Sequence, residues 1–317
     1  MTRDKEFNKD HTLPNPQVSV VIVSYNVCRL LRICLDMLYR NHSNETIEII
    51  VVDNASIDES VSMVKDEFPG VRMLENKDNL GFPKANNQGF NIASGDFIFM
   101  LNPDTECTNA VAFELAKVLG NRPELSLIAP KLLNSDGTHQ VSTWRFPTLY
   151  AVACDLLFLK FLNDRHFYTD RDLNSPFDPD SLSGAALFFR KSCLQETSGL
   201  DETMFWIEDI DFCFRLKKNK HRFEYQPKLT LIHHSGESAK KNYKISISNQ
   251  VVNKIKYFRK HKPYWQSIVI QILSILHVTI KIAVLFILTP FNAIYYRKMK
   301  AYIYTYAKIL NPPIGIK

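Results

Sequence analysis

Between Phe205 and Arg215 the sequence FWIEDIDFCFR sets three carboxylates, Glu208, Asp209 and Asp211, within four positions, between aromatic residues and ahead of an apolar helical pattern. Acids suit the first turn of a helix, and Asp211 can pair with Arg215 four residues on. The alternative is that one of the three is a catalyst, since a positioned carboxylate can take a proton from a reacting hydroxyl. Other polar residues gather where apolar runs end: Ser24, Tyr25 and Asn26; Asp53, Asn54 and Ser56, with Asp58 beyond; Asp104 in LNPDT; His233 and His234 in HHSGES. Asp and Asn after a strand commonly serve as turn and cap residues. Their recurrence at the ends of successive strands favours a ligand site.

These residues need a scaffold that aligns strand ends. VSVVIVSY and IEIIVVD are short, continuous and β-branched, the pattern of buried strands. Between them, residues 27–40 place Leu30, Leu31, Cys34, Leu35 and Leu38 at helical spacing. Two further rounds follow: a helix over Ser60–Phe68 with strand VRMLEN, and a helix over Asn86–Ala93 leading into DFIFML. After an irregular stretch at about 131–185, rich in aromatics and proline, come strand SLSGAALFFR, the helix of the opening motif and strand FEYQPKLTLIHH. The pattern predicts an α/β fold, a doubly wound, mainly parallel sheet with ligands at the carboxyl ends of its strands.

With 45% hydrophobic residues in 317, the chain can bury a large core. Net charge is +6, but no acid follows Glu237 while fourteen of the 39 Lys and Arg do, so residues 1–237 hold 25 basic against 33 acidic side chains. Six scattered cysteines without a CxxC pair argue against a zinc site or a disulfide framework. The leader, residues 1–17, lacks the apolar run of a signal peptide, which predicts a cytoplasmic globular part and makes the triplets NHS and NET, at Asn41 and Asn44, chance matches. No GxGxxG follows the first strand, which disfavours a dinucleotide oxidoreductase.

In order along the chain, VSVVIVSYN, VVDNASID, NLGFPKANNQG, GDFIFMLNPDT, SGAALFFR, GLDETMFWIEDIDFCFRL and HHSGES resemble motifs of the family 2 glycosyltransferases, and among them the rhamnosyltransferase-like enzymes of bacterial surface polysaccharide assembly. The likeness covers residues 18–238 and implies a catalytic domain of the GT-A nucleotide-sugar-binding fold. It further implies an inverting, metal-dependent transfer of rhamnose or another hexose from a dTDP- or UDP-linked donor to a hydroxyl of a lipid-linked glycan. Carried over residue by residue, it implies donor contacts at Tyr25, Asn26, Asp53, Ser56, Asn79, Gly81, Lys84, Asn86 and Asn102, with Gly81 letting the backbone approach the ligand. Asp104 matches the last acid of the family's DxD metal motif, and Asn102 replaces the first. The implied cofactor is Mn²⁺ or Mg²⁺, a hard cation that offsets charge on the departing diphosphate, held also by His233 or else by His234. Asp209 matches the general base, with Glu208 to orient base or acceptor and Trp206 as a platform for an acceptor sugar. Asp211 keeps a structural role, and Ile207, Ile210 and Phe214 form the core face of the helix. The rival of another class is a catalytically silent nucleotide-sugar-binding scaffold protein recruited to the membrane.

Residues 239–317 read as a basic tail. Lys240 to Lys262 holds eight Lys or Arg and no acid, and WQSIVIQILSILHVTIKIAVLFILTPF follows with a polar stripe at Ser267, Gln271, Ser274, His277 or Val278, and Lys281. That combination predicts an amphipathic helix on an anionic membrane surface rather than a nucleic-acid patch. Ile268–Leu288 reaches the roughly 20 residues a span needs, yet spanning would bury Lys281 and leave Arg297, Lys298, Lys300 and Lys308 outside, against the positive-inside pattern. The expectation is in-plane attachment to the inner face of the plasma membrane, or a shallow re-entrant pair broken near Pro290. A soluble helix closing the core, or a homodimer contact, is the alternative.

Overall fold

The computed structural model describes residues 17–41, 47–108, 110–159, 161, 167, 168, 172–234 and 243–310. The leader through Pro16, the NET triplet, the last four residues of HHSGES and the basic pair Lys240 and Lys241 lie outside the described residues.

The first strand, β1 (Val18–Ser24), is buried at every position, as its run of Val and Ile predicts. It is followed by α1 (Cys28–Asn41), β2 (Ile47–Asp53), α2 (Ser60–Glu67), β3 (Arg72–Glu75), α3 (Phe82–Ile92) and β4 (Phe97–Leu101). Helix α1 buries Leu31, Cys34, Leu35 and Leu38. Helix α3 begins at Phe82, four residues before the expected start, with Pro83 in its first turn where a missing N–H costs nothing. It lies close on β1 because residue 89 is glycine: a Cβ there would run into Val21 Cγ1.

The chain continues through β5 (Thr105–Glu106), α4 (Val111–Gly120), β6 (Leu125–Leu133), β7 (His139–Gln140), β8 (Thr143–Trp144), α5 (Leu149–Leu156), β9 (Ser181–Leu182), β10 (Ala186–Arg190), α6 (Cys193–Thr197), α7 (Glu208–Lys218) and β11 (Arg222–His233). Nine strands form one sheet in the order β3-β2-β1-β4-β10-β6-β11-β5, with β7 on β6. Strands β3, β2, β1 and β4 run parallel, with Ser24 opposite Asp53 and Ile22 opposite Leu101, so their carboxyl ends share an edge. Strand β10 reverses direction between β4 and β6, and β11 resumes parallel to β6. The sheet is therefore mixed, its parallel character carried by the first four strands and the β6–β11 pair.

Three helices complete the chain: α8 (Tyr243–His261), α9 (Tyr264–Leu288) and α10 (Ala293–Leu310). The chain divides into two compact units, one of residues 1–143, 172–202 and 212–234, the other of 144–171, 203–211 and 235–317. The division passes through α7. Helices α8 to α10 thus share a unit with two segments from the middle of the chain. Within it, His277 Nδ1 donates to Leu156 O (2.8 Å), and its ring stacks on Phe158. Gln271 joins Arg259 of α8 (2.8 Å) to Ile309 O of α10 (3.1 Å). Helix α9 stops before Pro290, whose ring cannot continue it, and α10 begins three residues later.

Candidate active site

Ser24, Asp53 and Asn102 close or follow β1, β2 and β4 on the shared edge. Side chains of the predicted donor set tie the loops there together. Asn26, at φ 55°, accepts Ile57 N–H at Oδ1 (2.8 Å) and gives its own N–H to Ser56 Oγ (2.9 Å); Ser56 N–H goes to Asp53 Oδ2 (2.8 Å). Asn79 Oδ1 accepts from Asn54 Nδ2 (2.8 Å) and from Gly81 N–H (3.0 Å). Asn26, Ser56 and Asn79 thereby shape the loops. Gly81 has φ 85° and ψ 158°, a backbone conformation that side chains disfavour, and a Cβ there would meet no protein atom within 4 Å. Backbone angle, not crowding by the protein, calls for glycine. Tyr25 and Lys84 are exposed.

Four buried side-chain oxygens in this region have no partner among the described residues: Ser24 Oγ, Asp53 Oδ1, Asn102 Oδ1 and, one turn into α3, Asn86 Oδ1. A buried polar atom left unpaired costs about 1–3 kcal/mol, and native proteins hold few of them. A ligand offering N–H and O–H donors would satisfy this set.

Asp104 follows β4, and His233 ends β11 opposite Thr105. His233 Nε2 lies 3.2 Å from Asp104 Oδ1 and 3.3 Å from Asn102 Nδ2. Its Nδ1 is 2.6 Å from Gln140 Oε1. With that amide oxygen assigned as the acceptor, Nδ1 carries a proton, and in the neutral ring Nε2 is the electron-pair donor that faces Asp104. Two electron-pair donors at this spacing fit one divalent cation, because ligands at about 2.1 Å and a right angle lie about 3 Å apart. Among the described residues no group of three or more His, Cys, Asp or Glu could hold an ion. The other ligands would then be substrate oxygens and water, a common arrangement for Mg²⁺. His234 is committed elsewhere: Nε2 meets Glu106 Oε1 and Nδ1 meets Ser135 Oγ, each at 2.7 Å.

Trp206, Glu208 and Asp209 belong to the second unit. Trp206 has φ 84°, a left-handed angle that costs a bulky residue about 1–3 kcal/mol and persists only where neighbours impose it. Helix α8 supplies the restraint: Asn253 Nδ2 donates to Phe205 O, and Lys256 Nζ to Thr203 O (2.5 Å). Trp206 itself is 43% exposed. Asp211 is fully buried and receives Lys260 Nζ (2.8 Å) and His261 Nε2 (2.6 Å), both from α8.

The Arg215 guanidinium has partners that the sequence did not suggest, the carbonyls of Thr197 and Gly199. A carboxylate as deep as Asp211 needs close donors, and α8 provides the Lys260 ammonium and the His261 ring N–H. The buried face of α7 also differs, with Phe212, Cys213 and Leu216 inside; Ile207 is buried as expected, while Ile210 and Phe214 are half-buried.

Glu208 is buried, and its Oε2 has no partner among the described residues. Burial, and then the charge of Asp209, push its carboxyl up to about 8. Both causes favour the protonated form of Glu208 near pH 7. Asp209 is half-buried, and its Oδ1 accepts Ile210 N–H at 2.7 Å.

Sequence reasoning missed Gln140, Asn253, Lys260 and His261. A chemical signal existed only for Gln140, since a metal-binding histidine needs an acceptor at its second nitrogen.

A profile described as glycosyl transferase family 2 matches residues 19–196. The chain is 25% identical over 211 residues to an N-acetylglucosaminyl-diphospho-decaprenol L-rhamnosyltransferase of Mycobacterium tuberculosis, covering 61% of this chain and 68% of the relative. To the pre-mycofactocin glycosyltransferase of that organism it is 27% identical over 199 residues, 59% of this chain and 37% of the relative. Among solved structures, a mannosyltransferase from Pyrobaculum calidifontis in complex with GDP-Man and Mn²⁺ superposes with a TM-score of 0.55 at 15% identity, over 97% of this chain and 90% of that one. S. aureus TarS residues 1–349 superposes with 0.51 at 15% identity, over 93% and 91%. Superpositions at such identity speak for the fold alone. With the profile spanning more than half of its length, the chain belongs to glycosyl transferase family 2, a glycosyltransferase of the GT-A fold.

Proposed function

We propose that the protein is an inverting, metal-dependent transferase that moves rhamnose or another hexose from a dTDP- or UDP-linked donor to a hydroxyl of a lipid-linked glycan, on the cytoplasmic side of the membrane. The carrying observation is the row of unpaired buried oxygens on the strand-end edge that also bears the Asp104–His233 pair. Asp53 Oδ1 and Asn102 Oδ1 can accept only, and a nucleotide base and ribose bring N–H and O–H donors. Rhamnose and a lipid diphosphate acceptor draw support from the name of the mycobacterial relative.

A divalent ion, Mn²⁺ or Mg²⁺, held by Asp104 and His233, would offset charge on the departing diphosphate. Gln140 keeps the His233 ring turned for that role. Asp209 takes the proton of the acceptor hydroxyl as its oxygen bonds to the anomeric carbon. The bond from that carbon to the phosphate oxygen breaks, and its electron pair leaves on the nucleoside diphosphate. A single displacement inverts configuration and needs one base, whereas glycoside hydrolysis takes two carboxylates flanking the bond. Glu208, protonated, would offer its O–H to orient base or acceptor and would not compete for the proton. Trp206 offers its exposed ring to an acceptor sugar.

Asp209→Asn tests the assignment. Transfer should fall about 10³-fold while calorimetry shows unchanged donor affinity; turnover near wild type would remove Asp209 as the base. Full activity in a chelator would remove the metal role from Asp104 and His233. Donor binding without transfer across a broad panel of sugars would leave the silent scaffold standing.

A further inference from the structure

Helix α9 wears its polarity inside out for a core helix. Ile268, Ile272, Leu276, Ile280, Val284 and Ile287 recur every three or four positions and are 39–69% exposed. The opposite stripe, which carries the polar residues, faces the helix's own unit: Ser267 and Ser274 are buried, Gln271 is hydrogen-bonded to α8 and α10, and Lys281 Nζ sits 4.9 Å over the Phe158 ring. A helix that only closes a core does the reverse. Six large aliphatic residues in one stripe form a contiguous apolar face, unlike the scattered apolar residues of an ordinary surface.

Charge decides what covers it. Helices α8, α9 and α10 contain no acid, and Lys262 precedes α9 while Arg297, Lys298 and Lys300 follow it. A second copy docked on this face would set like charge against like, whereas an anionic lipid surface brings the counter-charge. Among the described residues α9 is the one helix long and apolar enough to cross a bilayer. It is, however, tied along its side to α8 through Arg259 and to α10 through Ile309 O. Crossing would carry the charges of α8 and α10 into hydrocarbon.

We propose that the outward stripe of α9 beds in the plane of an anionic bilayer interface, while its polar stripe stays on the protein. The inference extends the reading of a lipid-linked acceptor and is tested without donor or acceptor, so either can fail alone. The full chain is floated with vesicles of phosphatidylcholine alone or with about one-third phosphatidylglycerol. Expected are flotation with the anionic vesicles, its weakening by salt, and a loss of about tenfold or more in Ile272→Glu/Leu276→Glu with an unchanged melting midpoint. Ile272→Asn/Leu276→Asn serves if the acidic pair misfolds. Equal binding by the variants, or none by the wild type, overturns the proposal. So does a vesicle-free dimer that the variants dissolve, which would make the stripe a contact between copies. In intact spheroplasts a tag at the C-terminus should resist external protease; its removal would mean that α9 spans.

Discussion

The strand-end edge and the segment 203–211 are built on opposite plans. At the edge, the sheet register itself brings Ser24, Asp53 and Asn102 side by side, and short contacts such as Ser56 N–H to Asp53 finish the loops. Among the described residues, the segment has no sheet beneath it in its own unit. It holds a strained Trp206, a buried Glu208 and a buried Asp211, and its restraints come from Asn253, Lys256, Lys260 and His261 on α8. Binding groups can sit in a frame that is stable without them. A strained segment with buried acids needs an outside brace, because its own backbone gains nothing from that conformation.

If that contrast reflects a division of labour, substitutions should separate cleanly. The roughly thousandfold loss in kcat expected of Asp209→Asn should have as its counterpart an Asp53→Asn variant with about tenfold weaker donor binding and nearly normal kcat. Isothermal titration with donor alongside steady-state kinetics reads both. A donor-binding defect in the Asp209 variant, or a kcat defect in the Asp53 variant, would break the comparison.

The brace itself is next in size. Asp211→Ala leaves Lys260 and His261 facing an empty, fully buried position, and removing one partner of a buried ion pair costs about 3–5 kcal/mol. Urea unfolding should show that loss, and Asp53→Asn should unfold within about 1–2 kcal/mol of wild type. Equal stability of Asp211→Ala and wild type would mean that α8 does not hold the segment.

A smaller effect belongs to the edge. In Gln140→Leu the His233 ring loses the acceptor at Nδ1, and either tautomer then becomes available. Mn²⁺ binding in the presence of nucleoside diphosphate, followed by paramagnetic resonance, should weaken about tenfold. An unchanged Mn²⁺ isotherm would detach Gln140 from the site.

The same contrast explains what could be read in the sequence. Strand β4 is a continuous apolar run and β1 and β2 are apolar but for Ser19 and Glu48, and a polar residue that ends such a run lies at the end of the strand, so Asp53, Asn102 and Asp104 were visible as a set. The antiparallel insertion of β10 was not, because nothing in ALFFR records direction. Helix α4 and strand β6 went unread although Val111, Ala112, Leu115, Ala116 and Leu119 carry helical spacing. Arg215 could be proposed for Asp211 because it is local, whereas Lys260 and His261 meet that acid only through tertiary packing and left no signal in the sequence. The stripe of Ser267, Gln271 and Ser274 was legible as a stripe, but which side faced the protein was a question of neighbours.

The finest probe of the contrast is the proton on Glu208. Its carboxyl titrates at about 8 in the folded chain against an ordinary 4.5, so between those values the folded state holds a proton that the unfolded state has lost. Stability contributed by this group therefore falls as pH rises from about 4.5 to 8 and levels off above. Glu208→Gln keeps a neutral side chain throughout, so at pH 9 it should be more stable than wild type by roughly 2–4 kcal/mol and at pH 4 no more stable. If the protonated form also serves transfer, kcat/KM of the wild type declines above about pH 8 and the decline vanishes in the glutamine variant. A shared alkaline limb would assign the decline to another group and leave Glu208 with a structural part, while a flat stability profile in the wild type would mean that the acid is not desolvated in solution and that the segment 203–211 is held more openly than its contacts to α8 imply.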